Sequence, residues 1–279
     1  MRFPNLPHVP VPHLSHALRD SRLITALVAE FLGTLLFQLY SGAVSRGPIE
    51  TAAAFAAIMY LTYNLSGGHL NPAVSLAAAG TGHVDLVRGL LYAVVQILGA
   101  IAGALIQVGL VYDNYIGRPS ESCFSPPRHV NGPELWGWEF ISTFFFLAVM
   151  YTAVFVSPGQ GTAAPLAAGL ALLAALSTGG FYTGGSPLNP ARVIANMVVY
   201  RCNISWGWSY LLAQLAAIGA AVAWVWPVHG LGMYMGGPRP DAFTGTGTQL
   251  GTPGLSDPLL GTGRGGAATG DPAGGSAYA

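Results

Sequence analysis

Residues Ser66–Val74 read SGGHLNPAV, and residues Thr183–Arg192 read TGGSPLNPAR. Each places glycines, an Asn and a Pro between two strongly apolar segments. Asn71–Pro72 is a helix start, with the Asn side chain as N-cap and Pro tolerated at the first helical position. The helix that follows, Pro72 to about Ala79, is too short for a bilayer, which takes about twenty apolar residues to cross. Asn189–Pro190 repeats the arrangement. Two short half-helices, in corresponding places of two apolar halves, predict a site built at mid-membrane.

Outward from these stretches the chain is apolar. It is 52% hydrophobic and 8% charged, with mean hydropathy +0.50, against roughly 25% charged residues in a soluble domain. That balance predicts a polytopic membrane protein. Zero net charge argues against nucleic acid, which needs a basic face. All eleven basic residues are Arg, from which no function follows. Seven His are scattered without ligand spacing and two Cys are too few for a four-ligand zinc site, so neither metal nor cofactor is expected.

Residues 1–22 read as a polar, Pro-rich lead-in without the apolar run of a signal peptide. Apolar spans are predicted at 23–45, 49–65, 86–112, 135–156, 163–181 and 206–228, with a longer polar connection at 113–133. From Gly230 to Ala279 the chain is rich in Gly, Pro, Thr and Ala with few large apolar residues, and is expected to be a disordered tail. The membrane domain is thus placed at 23–229. Its halves, about 23–112 and 135–228, begin alike: AEFLGTLLF from Ala29 against WEFISTFFF from Trp138. Three spans is an odd number, so the second half enters the membrane from the opposite side and the two NPA elements meet near the centre. Arg2, Arg19 and Arg22 before the first span favour a cytoplasmic N-terminus, and six spans return the C-terminus to the same side.

From about Leu23 to Val228 the chain resembles the major intrinsic protein family, the aquaporins and aquaglyceroporins. Two NPA motifs, SGGH before one, Arg after the other and the EF repeat at both half starts carry the resemblance. It implies an all-α membrane fold of six tilted helices plus two re-entrant half-helices, one pore per subunit, and a homotetramer in the lipid bilayer. The implied function is passive conduction of water and small neutral solutes, with ions and protons excluded.

The site follows residue by residue. Asn71, Pro72 and Ala73, with Asn189, Pro190 and Ala191, form the pore centre, where two positive helix-dipole ends meet. Backbone carbonyls of Gly67, Gly68 and His69 on one side, and of Gly185, Ser186 and Pro187 on the other, are expected to line water. For His69, packing of the ring is favoured over pH sensing. Arg192, an expensive charge at this depth, reads as a pore-lining guanidinium rather than a structural ion pair. Glu30 and Glu139 hold equivalent places in the two halves. They are expected to accept from the loop N–H groups, the alternative being a proton relay.

The family's four-position filter falls on Thr51, Leu176, Ser186 and Arg192. Phe55 is the alternative to Thr51 if the second span is shifted. Ser177 is the alternative to Leu176, because the second loop carries one extra residue. The aromatic and the His of strict water filters are missing, and Val193 stands where glycerol-type filters carry Asp. The expected filter is therefore wider and less polar than a strict water filter. Cys123 and Cys202 fall on the same predicted side, with free thiols favoured over a bond. Gly99, Gly103 and Gly169 are small residues that let helices approach closely. An inverted-repeat secondary transporter is the competing class; an enzyme is remote, since no nucleophile–base pair stands out.

Overall fold

A computed structural model describes residues 21–42, 47–112, 114–119, 122–155 and 159–233. The lead-in up to residue 20 and the tail from residue 234 lie outside the described residues. Among those described there are eight α-helices and no strand. They are α1 (Ser21–Gly42), α2 (Pro48–Ser66), α3 (Pro72–Gly80), α4 (Leu86–Leu110), α5 (Gly132–Met150), α6 (Ala164–Thr183), α7 (Pro190–Tyr200) and α8 (Ile204–Met233). A turn of π-helix, Tyr151–Phe155, extends α5.

Starts are set by caps. Asn71 and Asn189 sit in extended backbone and accept from Ala73 N (2.8 Å) and Ala191 N (2.9 Å). Asp85 accepts from Arg88 N at 2.9 Å, and Asn131 and Glu134 form a reciprocal capping box at the start of α5. Every expected span is a helix, with ends differing by a few residues. One boundary is corrected: α8 runs through Pro227 to Met233, past the tail start expected at Gly230. A single Pro removes one N–H from the ladder, and here the helix continues beyond it.

Among the described residues, five helices are long and apolar enough to cross a membrane by length and composition. The remaining long helix, α2, has 19 residues, about 28 Å at 1.5 Å per residue. It is less apolar because it carries Glu50, Thr51, Thr62 and Asn64.

The main packing pairs obey a two-fold rule. Helix α1 packs on α2 and α4, as α5 packs on α6 and α8. The half-helix α3 packs on α4 of its own half and α8 of the other; α7 packs on α8 and α4. Helices α2 and α6 pack on each other. Exchanging the halves maps this scheme onto itself, which is the inverted repeat expressed in contacts.

Helix α4 shows how the sequence drives this packing. Its buried positions are Gly89, Tyr92, Ala93, Gln96, Gly99, Ala100, Gly103, Ala104 and Gln107, a stripe of small and polar residues at helical spacing. Leu86, Leu90, Val94, Leu98, Leu105 and Leu110 are exposed. Large apolar side chains face outward and small ones inward, the arrangement of a helix packed in lipid. A Cβ at Gly99 or Gly103 would lie 2.3 Å from the Phe31 carbonyl oxygen or 2.4 Å from that of Leu35. The backbones of α1 and α4 therefore touch. A Cβ at Gly169 would lie 2.7 Å from the Ala56 Cβ, so α2 and α6 also approach closely.

Candidate functional site

The two half-helices meet N-terminus to N-terminus. Asn71 Nδ2 donates to the Leu188 carbonyl at 2.8 Å, and Asn189 Nδ2 donates to the Leu70 carbonyl at 2.9 Å. Each amide thus caps its own helix with oxygen and reaches the opposite loop with one N–H. An Asn amide carries two N–H donors, so one per side chain is left over by these bonds. Each meeting N-terminus carries on the order of half a positive charge.

The approach to each Asn is wound through left-handed backbone. Gly67 and Gly68 have φ 96° and 62°, and Gly184 and Gly185 have 66° and 120°; these are conformations that favour glycine. Leu70 and Leu188, which directly precede the Asn residues, have φ 51° and 54°. For a non-glycine residue this costs about 1–3 kcal/mol and persists only where the surroundings enforce it.

The enforcing groups are the two buried carboxylates. Glu30 accepts from His69 N (2.9 Å), Leu70 N (2.7 Å), Ser66 Oγ (2.6 Å) and Gln96 Nε2 (2.7 Å). Glu139 accepts from Leu188 N (2.8 Å), Gln214 Nε2 (2.7 Å) and Ser186 Oγ (3.2 Å). The second set has one backbone donor fewer because Pro187, standing where the first loop has His69, has no N–H. Ser186 has φ 43° and its N–H bonds Thr183 Oγ1 at 2.8 Å. Its hydroxyl donates to Glu139.

His69 is 1% exposed, with Nδ1 3.0 Å from Ser75 Oγ and its ring edge-on to Tyr92 and Phe155. The ring is thus buried against Tyr92 and Phe155. Near it, His83 in the turn between α3 and α4 lies 3.0 Å from Thr81 Oγ1 and within 3.1 Å of the Tyr151 hydroxyl. Burial lowers its pKa from 6.5 to about 4. A base with a depressed folded pKa favours folding most above its unfolded value. The contribution should therefore be complete above about pH 6.5 and fall away as pH drops towards 4. A His83→Gln variant should lose this acid-side fall in thermal stability between pH 6.5 and 4, measured against the native chain.

Arg192 is 3% exposed in the first turn of α7. A cation there opposes the helix dipole, so the position does not serve the helix. Its guanidinium carbon lies 5.0 Å from the Phe37 ring centroid and 5.1 Å from that of Phe124, within cation–π range. Of the other expected filter residues, Thr51 and Leu176 are buried, at 3% and 6% exposure, and Leu176 shares an apolar cluster with Phe37, Phe55 and Phe146. Phe55 lies edge-on between Phe37 and Phe146, the last residues of the two aligned repeats.

The Cys expectation is corrected: Cys123 and Cys202 form a disulfide. They are 79 residues apart in sequence, and only the fold brings the segment before α5 beside the end of α7.

The sequence reading missed Gln96 and Gln214, although a signal was present. Each stands 25 residues after its Asn, 96 − 71 and 214 − 189, a polar residue inside an apolar span at the same offset in both halves. Phe124 carried no such mark.

The family model described as Major intrinsic protein matches residues 17–226. The chain belongs to the major intrinsic protein family. Aquaporin TIP2-3 of Zea mays is 33% identical over 221 residues, 71% of this chain and 85% of the relative. Aquaporin PIP2-4 of Oryza sativa subsp. japonica is 33% identical over 237 residues, 72% and 80% of the two chains. The solved structure of the aquaglyceroporin from Plasmodium falciparum superposes with TM-score 0.61 at 21% identity, covering 74% of this chain and 96% of that one. This major intrinsic protein is therefore an integral, multi-pass membrane protein of a channel family with the helical fold of its relatives.

Proposed function

We propose that the chain is a passive channel that conducts water and at least one small uncharged solute and excludes ions and protons. The observation that carries this reading is the reciprocal pair Asn71–Leu188 and Asn189–Leu70. Two positive helix ends face one another, and each Asn retains an N–H for a passing water. A water accepting there turns its oxygen to the centre on both approaches, so the hydrogen-bonded file reverses direction and no proton hops through. The same field repels cations. The carbonyls of Gly67, Gly68 and His69, and of Gly185, Ser186 and Pro187, line the two approaches, since irregular backbone is tolerated at this depth where it faces water. Thr51, Leu176, Ser186 and Arg192 form the constriction. The domain limits, both termini on the cytoplasmic side and a homotetrameric assembly belong to the same reading.

A second reading, an aquaglyceroporin-type channel whose main substrate is glycerol, urea or a similar solute, is favoured by the rings beside Arg192. An apolar face next to a fork of N–H donors suits the carbon side and hydroxyls of a polyol.

Stopped-flow shrinkage of proteoliposomes in a panel of osmolytes tests both. Water flux should stand well above protein-free vesicles, and glycerol- or urea-sized solutes should enter measurably and linearly with gradient. A Thr51→Phe, Leu176→His double variant should keep water and lose the solute. Exclusion by the native chain of every solute larger than water would leave only the water-channel reading. Solute flux that saturates at low concentration would favour a carrier instead.

A further inference from the structure

We propose that the second half of the molecule holds one buried water molecule behind its NPA loop, bound by Glu139 Oε2, Gln214 Oε1 and Thr143 Oγ1. The water replaces donors that the first half draws from its own backbone and side chains. This site follows from the inverted repeat and goes beyond the channel reading, whichever solute the pore passes.

In the first half the brace is complete. Glu30 Oε1 accepts from Ser66 Oγ and His69 N, and Oε2 accepts from Leu70 N and Gln96 Nε2. The oxygen of the same Gln96 amide accepts from Ser75 Oγ at 3.2 Å, and Thr34 Oγ1 donates to the Glu30 carbonyl at 2.7 Å. Every member has a counterpart at the same offset in the second half. Glu139 stands for Glu30, Gln214 for Gln96 and Thr143 for Thr34, while Pro187 and Val193 stand for His69 and Ser75. The last two cannot donate: Pro has no N–H, and the Val side chain has no polar atom. Glu139 Oε1 still accepts two bonds, from Leu188 N and Gln214 Nε2, but Oε2 receives only Ser186 Oγ, at 3.2 Å. Gln214 Oε1 and Thr143 Oγ1, both closed to solvent, have no hydrogen-bond partner among the described residues.

The three groups belong to one place. Gln214 Nε2 is 2.7 Å from Glu139, so the oxygen of that amide lies beside the carboxylate. Thr143 is one turn on from Glu139 along the buried face of α5, and α5 packs on α8, which carries Gln214. Buried polar groups left unpaired are costly, and native proteins pair nearly all of them. Two of these atoms accept and the hydroxyl can donate. A single water offers two donors and an acceptor, and a buried water typically makes about three hydrogen bonds. A hard cation takes about six oxygens or more, twice what this site supplies. The water completes the acceptor that holds Ser186, and with it the loop leading into Arg192.

The test uses the full chain. A high-resolution crystal structure should show one ordered water within hydrogen-bond distance of all three atoms, and the Thr143→Val structure should show it lost. Thermal unfolding in detergent reads what the water contributes. Thr143→Val keeps the shape and deletes the hydroxyl, so a bound water predicts melting a few degrees lower. A hydroxyl without any partner predicts melting unchanged or higher instead. Val193→Thr, again of the same shape, puts a hydroxyl where Ser75 stands in the first half. It should donate to Gln214 Oε1 and so shrink the loss caused by Thr143→Val when the two are combined. No water density at the native site, or Thr143 Oγ1 bonded to the Glu139 carbonyl as Thr34 is to that of Glu30, would overturn the proposal. A Thr143→Val chain that melts with or above the native one would overturn it too. Strictly additive effects of the two substitutions would overturn the part given to Val193. Each of these failures, with normal water flux, leaves the channel reading standing.

Discussion

Replacing Glu30 by leucine is expected to cost this protein its fold. The carboxylate accepts four bonds, two of them from the backbone N–H groups of His69 and Leu70. Leucine has about the right bulk and accepts none. Each buried donor left unsatisfied costs about 1–3 kcal/mol, and the left-handed Leu70 backbone adds strain of similar size. The combined loss approaches the whole margin of a typical folded protein, about 5–15 kcal/mol. Glu139→Leu should be milder, because Pro187 offers no N–H and only Leu188 loses a backbone acceptor there. Thermal unfolding in detergent should rank native above Glu139→Leu and Glu139→Leu above Glu30→Leu, with little recoverable protein for the last. Equal melting temperatures for native and Glu30→Leu would refute the bracing role.

The second large effect belongs to Gly99. A methyl group there would meet the Phe31 carbonyl oxygen at 2.3 Å and the Leu35 nitrogen at 3.3 Å. Both neighbours are backbone within a helix, so neither swings aside as a side-chain end would. Helices α1 and α4 must then separate, and Glu30 on one is bonded to Gln96 on the other. Overpacking of this kind costs about 1–3 kcal/mol for a small group, and more for leucine. Gly219 in α8 supplies the contrast, since a Cβ there meets nothing within 4 Å. Gly219→Ala should be neutral or stabilise by roughly 0.5–1 kcal/mol through helix propensity. Gly99→Ala should lower the melting temperature, and Gly99→Leu should leave little folded protein. If Gly99→Ala and Gly219→Ala behave alike, the close approach of α1 and α4 is wrong.

Much of this architecture was legible because it is written twice. The NPA elements and the EF segments fix the half-helices, the carboxylates and the two-fold relation between halves before any coordinate is consulted. The glutamines at equal offsets from Asn71 and Asn189 carried the same kind of signal and were missed. The disulfide and the rings at Arg192 were not legible, for a physical reason. Cys123 and Phe124 sit in a connection without periodicity, and only packing decides which part of α7 lies beneath it. The start of the tail was misjudged as well: it was placed at Gly230 on composition, yet the last helix carries through Pro227 to Met233.

The reciprocal bonds of Asn71 and Asn189 have a consequence for how the chain divides. Cut between its repeats, each half would keep its helix cap yet lose both bonds that join the loops: one amide without its acceptor, one carbonyl without its donor. Each supplies what the other lacks, as two subunits do across an isologous interface. The molecule is in this sense a dimer of unequal partners on one covalent thread. A disturbance of the Leu70 carbonyl reaches Asn189, on the far side of the pseudo-axis, as directly as it reaches its own neighbour in sequence.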